Sequence, residues 1–87
     1  MRARAFELVD NSGQVRYRLN VESDGEVVLR LLDQGGTIRV KLGAGRSGSG
    51  LVLLNDAAEP GVQVLAKAEG SSLKLVNKGG QERILVP

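Results

Sequence analysis

Phe6-Glu7-Leu8-Val9-Asp10 returns as Leu29-Arg30-Leu31-Leu32-Asp33, as Leu51-Val52-Leu53-Leu54-Asn55 and as Leu73-Lys74-Leu75-Val76-Asn77. Counted on Asp10, Asp33, Asn55 and Asn77, the copies stand 23, 22 and 22 residues apart. Other columns keep this step: Leu19, Leu42, Val64 and Val86; Gly25, Gly48 and Gly70; Gly13, Gly36, Ala58 and Gly80; Arg16, Arg39, Gly61 and Arg83. A repeat of this length is one supersecondary unit, too small to bury its own apolar face, that stacks on its neighbours. The chain therefore reads as a single domain over 1–87 with repeats at about 4–26, 27–48, 49–70 and 71–87.

Each repeat splits into two strand-like halves. In the first, Phe6 and Leu8 alternate with Glu7. In the second, Val15, Tyr17, Leu19 and Val21 alternate with Arg16, Arg18 and Asn20, and the next repeat has Ile38, Val40, Leu42 and Ala44 against Arg39, Lys41 and Gly43. Period-two alternation is the signature of a half-buried strand, and no window carries a helical stripe. The segments between the halves, such as Asp10-Asn11-Ser12-Gly13-Gln14, place Asp or Asn three residues before Gly. The carboxylate or amide oxygen can accept from nearby backbone N–H groups, and Gly takes positive φ without steric cost. These are hairpin loops.

A four-residue loop pairing Asp10 with Val15 sets a register in which Val9 faces Arg16, Leu8 faces Tyr17, Glu7 faces Arg18 and Phe6 faces Leu19. One face then holds Phe6, Leu8, Tyr17 and Leu19, and a one-residue slip would bring arginine onto it. The same rule sets Leu31 against Val40, Leu53 against Val62 and Leu75 against Ile84. The third repeat departs from the pattern, with Ala58 in the glycine column and Pro60-Gly61 nearby. Ala resists positive φ and Pro donates no ladder bond, so a longer or bulged third loop is expected. The run from Gly43 to Gly50 reads as the most flexible loop.

Composition bounds the chemistry. The chain has 87 residues, 41% of them hydrophobic, and its only rings are Phe6 and Tyr17. A Val/Leu core without large rings is modest in so short a chain, which favours burial against another copy. There is no Cys and no His, so imidazole-based catalysis and Cys/His zinc sites are excluded. Net charge is +2, with basic and acidic residues interspersed, unlike a nucleic-acid stripe. No apolar stretch approaches the roughly 18 residues of a membrane-spanning helix, and no signal peptide is visible.

The candidate sites read as structure. Asp10, Asp33, Asn55 and Asn77 are turn caps; a calcium site needs six or more oxygens, and the loops lack further acids at fixed offsets. Arg16, Arg39 and Arg83 form a column that bonds its own turns or acidic neighbours. Gly35-Gly36 and Gly79-Gly80 open no helix, as a phosphate loop would. Val9, Leu32, Leu54 and Val76 lie on the face opposite Leu8, Leu31, Leu53 and Leu75. They are expected to be covered by a second layer or by another subunit, and are the candidate oligomer interface.

The stretch from Phe6 to Leu19, with its spacing Leu-x-Leu-x-Asp-x-x-Gly-x-x-Arg-x-x-Leu, resembles a β-hairpin repeat of uncharacterised bacterial proteins. The resemblance runs from Arg4 to about Leu85. In such proteins a segment like Arg2-Ala3-Arg4-Ala5-Phe6 often follows an N-terminal hydrophobic or coiled segment. The resemblance implies no activity, cofactor or functional residue.

The expected fold is all-β, an antiparallel meander of four hairpin repeats with about eight strands, finished as a small barrel, sandwich or β-prism. The expected role is structural: a self-associating β module, an oligomerisation or protein-interaction domain of a larger assembly, with a trimer ahead of a dimer. The alternative is a ligand-binding module for carbohydrate or peptide through loops or a sheet edge. No catalytic role, cofactor, metal, nucleic-acid partner or membrane insertion is expected, and the compartment is left open.

Overall fold

The computed structural model describes residues 2–87. Eight strands follow in chain order: β1 (Ala5–Val9), β2 (Val15–Val21), β3 (Val27–Leu32), β4 (Ile38–Gly45), β5 (Gly48–Leu54), β6 (Pro60–Lys67), β7 (Gly70–Val76) and β8 (Glu82–Leu85). They form one antiparallel sheet in the order β1 to β8. The described residues include no helix long and apolar enough to cross a membrane. The sheet does not close, because β1 and β8 are not partners. No strand packs on any but its neighbours in the ladder. Of the finishes left open by the alternation, the single chain adopts neither barrel nor sandwich nor prism: it is one unclosed layer, 41 × 31 × 17 Å overall.

The four repeat loops share one backbone hydrogen-bond pattern, and the fourth alone sets a second residue, Gly79, left-handed at φ +96°. In the first, the Asp10 N–H donates to Gln14 O at 2.9 Å and the Gly13 N–H donates to Asp10 O at 3.0 Å. The closing pair is therefore Asp10 with Gln14 around three residues, not Asp10 with Val15 around four. Gly13 sits at φ +85°, the left-handed residue that a three-residue hairpin loop requires. Gly36 and Gly80 sit at the same angle. The third loop, expected to be longer, is the same: Asn55 N–H to Glu59 O at 2.9 Å, Ala58 N–H to Asn55 O at 3.0 Å, and Ala58 at φ +60°. Ala thus takes the left-handed position after all.

Registers follow the expected rows with one insertion each. Phe6 pairs with Leu19, Glu7 with Arg18 and Leu8 with Tyr17, but Val9 pairs with Val15 rather than Arg16. Arg16 is the extra residue of a β-bulge. Leu31 meets Val40 and Leu53 meets Val62, each with the same irregularity one residue on. The last hairpin lacks it: Leu75 pairs with Arg83, and Ile84 pairs with Lys74. The expected Leu75–Ile84 pair does not form. Strands β2, β4 and β6 each have a second partner, whose ladder begins just past the bulge, at Tyr17, Val40 and Val62. The edge strand β8 has one ladder and relaxes into continuous pairing.

The glycine-rich stretch from Gly43 to Gly50 is sheet, not loop. Strand β4 runs to Gly45, β5 begins at Gly48, and only Arg46 and Ser47 turn. Gly43 and Gly50 face each other. A Cβ on Gly50 would stand 2.7 Å from Leu65 Cδ2, and one on Gly43 2.7 Å from Glu26 Oε2. The missing side chains make room for neighbours to fold over the sheet.

Candidate functional site: an uncovered apolar face

Register turns the alternation into two faces of opposite chemistry. Across the strands, Phe6, Leu19, Leu29, Leu42, Leu51, Val64, Leu73 and Leu85 fall in one line. Beside it, on the loop side, run Leu8, Tyr17, Leu31, Val40, Leu53, Val62, Leu75 and Arg83. On the other side run Val21, Val27, Ala44, Ser49, Ala66 and Ser71. This apolar face carries a single charge, Arg83. The other face carries Glu7, Arg18, Arg30, Lys41, Lys67 and Lys74 within its strands.

Four of these six charges, Glu7, Arg18, Arg30 and Lys74, are paired within the chain. Arg18 bonds Glu7 at 2.5 Å, and Lys74 bonds Glu82 at 3.3 Å. Arg30 donates to Glu22 Oε1 at 2.5 Å, and the Asn20 amide donates to Glu22 Oε2 at 3.1 Å. This cluster, led by the Arg30 bond, holds the Glu22 carboxyl below its ordinary value. It flanks Val28, the one fully buried side chain among the described residues, while Glu26 folds over Gly43 next to it in register.

At the loop end the arginine column stitches hairpins together. Arg16 Nε donates to Leu32 O at 2.9 Å, and Arg39 Nε donates to Leu54 O at 2.9 Å. The same guanidinium groups reach back to their own turns, Arg16 to Asp10 at 3.6 Å and Arg39 to Asp33 at 3.3 Å. The bulge aims each arginine at the next hairpin's carbonyl. Gly61 replaces it in the third repeat, and Arg83 on the edge strand pairs with Leu75 instead. No anion ladder is assembled.

The expected turn caps are formed in three loops. Asp10 Oδ1 accepts from the Ser12 and Gln14 N–H groups and the Ser12 hydroxyl. Asp33 Oδ1 accepts from Gly35 and Thr37, and Asn55 Oδ1 from Ala57 and Glu59. The hydroxyl of Ser12, foremost, lowers the Asp10 carboxyl below its ordinary value, and the Thr37 N–H, foremost, lowers that of Asp33. The Asn77 loop closes through backbone bonds.

The candidate interface residues Val9, Leu32, Leu54 and Val76 do form a line, on the charged face at its loop end. Leu32 lies opposite Ile38, and Leu54 opposite Pro60. Leu32, Leu54 and Val76 are half-buried within the chain, while Val9 on the edge is 50% exposed. The larger uncovered surface is on the other face. Phe6, Leu8, Val21, Val27, Leu31, Leu42, Leu53, Val64, Leu75 and Leu85 all lie there, between 38% and 63% exposed. They present on the order of 700 Å² of apolar side chain, above the roughly 300–600 Å² of the largest patch on a typical monomer. Reading the sequence by columns missed this because every half-buried strand shows the same alternation, whether or not a layer covers its apolar side. Tyr17 lies partly covered in the loop-side row.

A shallow, open depression of about 560 Å³ lies at the far end of the apolar face. Leu42, Leu51, Val64, Ala66 and Leu85 line it, with Val86 and Pro87 at its margin. Its chemistry is that of the face itself. No protein-family model matches the chain, and no curated protein does.

Proposed function

We propose that this chain is a structural, self-associating β module, the oligomerising part of a larger assembly, with no catalytic role. One observation carries the reading: the folded chain is an amphipathic single layer with one fully buried side chain among the described residues. Domains bury apolar surface between at least two layers, and this chain supplies one. A compact 9.2 kDa chain exposes about 4,900 Å² by the usual scaling of surface with mass. This one exposes 6664 Å². Its radius of gyration is 14.7 Å where about 12 Å is usual for its length. The excess is the area that a partner layer would remove from water. Size exclusion with light scattering at micromolar concentration tests the reading. A mass that is a multiple of 9.2 kDa is expected, and a stable, folded 9.2 kDa monomer sinks it.

The ligand-binding alternative rests on the depression by Leu42 and Val64. That depression offers aliphatic carbon and serine hydroxyls. Carbohydrate recognition leans on aromatic platforms, and the lone tyrosine lies elsewhere on the sheet.

A further inference from the structure

We infer that the apolar face is closed by two further copies of this chain, in a threefold ring whose axis runs along the stack of strands. The inference rests on the self-association reading and adds to it the face, the stoichiometry and the pairing of rows. Area points to two neighbours. The surplus of about 1,700 Å² over a compact chain amounts to two contacts of the standard size, roughly 800 Å² per partner each. A chain that makes two unlike contacts closes into a ring, and three is the smallest ring.

Width points the same way. The apolar band is three side chains wide on the central strands: Ala44, Leu42 and Val40 on β4, Ser49, Leu51 and Leu53 on β5, Ala66, Val64 and Val62 on β6. Three same-face side chains span about 14 Å at ~3.4 Å per residue. Sheets pack about 10 Å apart, so three of them around an axis, each ~5 Å from it, need sides about 17 Å wide. The five positions of the band fill such a side, and strands β4 to β7, seven or eight residues long, run past it at their ends. In the other direction eight strands span about 38 Å, which matches the 41 Å long dimension. The strands therefore lie across the axis, and their twist accumulates around it in all three sheets alike.

The margins of the band are complementary. One is small, with Ala44, Ser49, Ala66 and Ser71; the other is bulky, with Leu31, Leu53 and Leu75. In the ring the small margin of one chain meets the bulky margin of the next, with the central leucine row toward the axis. The occupant is a copy rather than a foreign protein because the central row, Phe6 to Leu85, runs over all eight strands and the two margins flank it from β2 to β7. A sheet of the same twist and length matches it strand for strand, and a single helix or peptide would cover only a strip.

The chain has no cysteine, so paired cysteines report the contact cleanly. Ser49→Cys with Leu53→Cys places both margins of β5 on one chain, four residues apart and out of each other's reach, since a disulfide needs Cα atoms within about 7 Å. Mild oxidation of the full chain should give covalent species that stop at three chains, and the unmodified protein should scatter at three times 9.2 kDa. Ala66→Cys with Val62→Cys repeats the test on β6 should the first pair fail to fold. Covalent products that stop at two, with a dimer mass, overturn the ring and leave self-association standing. A ladder beyond three, or a trimer mass without cross-links in either variant, overturns the proposed row pairing. A monomer mass for the unmodified protein overturns this inference and the self-association reading together.

Discussion

Ala58 holds a left-handed backbone at φ +60° that costs an L-residue about 1 kcal/mol or more. It stays there because the alternatives cost more. Opening the loop would give up the Ala58 N–H bond to Asn55 O and the two N–H bonds to Asn55 Oδ1. It would also unseat Leu53 from Val62. Ala58→Gly should therefore raise stability by about 0.5–1 kcal/mol, read as a higher denaturant midpoint at unchanged slope. Gly36→Val should lower it by about 1 kcal/mol or more, since the same angle is worse for a β-branched side chain. The glycine column was legible in the sequence because glycine marks the angle directly. The alanine misled because its penalty is smaller than the sum of bonds holding the loop, and a sum of bonds is invisible in one residue's identity. The caps make an acid-sensitive pair of loops. Asp10 and Asp33 have lowered folded values, so their contribution is present above the ordinary carboxylate value and is lost as pH falls below it. Asn55 and Asn77 do not titrate. Hydrogen-exchange protection below pH 4 should fall at Gln14 and Thr37 before Glu59; an equal fall at all three would remove the carboxylates from the explanation.

At the scale of elements, the bulge and the arginine belong together. A bulged residue leaves the ladder, and here it carries a guanidinium across to the next hairpin's carbonyl. Arg39→Ala should leave Leu54 O without that donor and cost about 1–2 kcal/mol. Lysine at this position should restore only part, because its ammonium lacks the planar fork that reaches Leu54 O and Asp33 together. Gly61 is the converse experiment. A Cβ there meets only Leu53 O at 3.8 Å and Val76 O at 3.9 Å, ordinary contacts, and the backbone is not left-handed. Gly61→Arg should stabilise by about 0.5–1 kcal/mol, by relieving a strand glycine and adding a third stitch to Val76 O. A lowered melting temperature would count against the stitching role. Strand positions and most pairings were legible from alternation and turn residues. The bulges were not, since alternation continues on both sides of them. The slip at β8 was not either, because Leu73 finds an apolar partner in both registers, Leu85 in the observed one and Val86 in the expected one.

For the whole molecule, the sequence tells which face is apolar but not whether a layer covers it. No local pattern of this chain records a second layer, so the single sheet appears only once registers are assembled. If association and folding are linked, the melting temperature should rise with protein concentration over the micromolar range. A melting temperature independent of concentration across a hundredfold range would show a subunit that holds its shape without partners.

Strictly sequential pairing has a further consequence. Since each hairpin touches only the hairpins beside it, length is a free variable of this architecture. Duplicating one 22-residue unit in tandem adds two strands, about 10 Å of sheet, and disturbs no existing partner. The molecule behaves as a ruler, graduated in hairpins, and genetic duplication or loss of a unit resets its span without redesigning anything else.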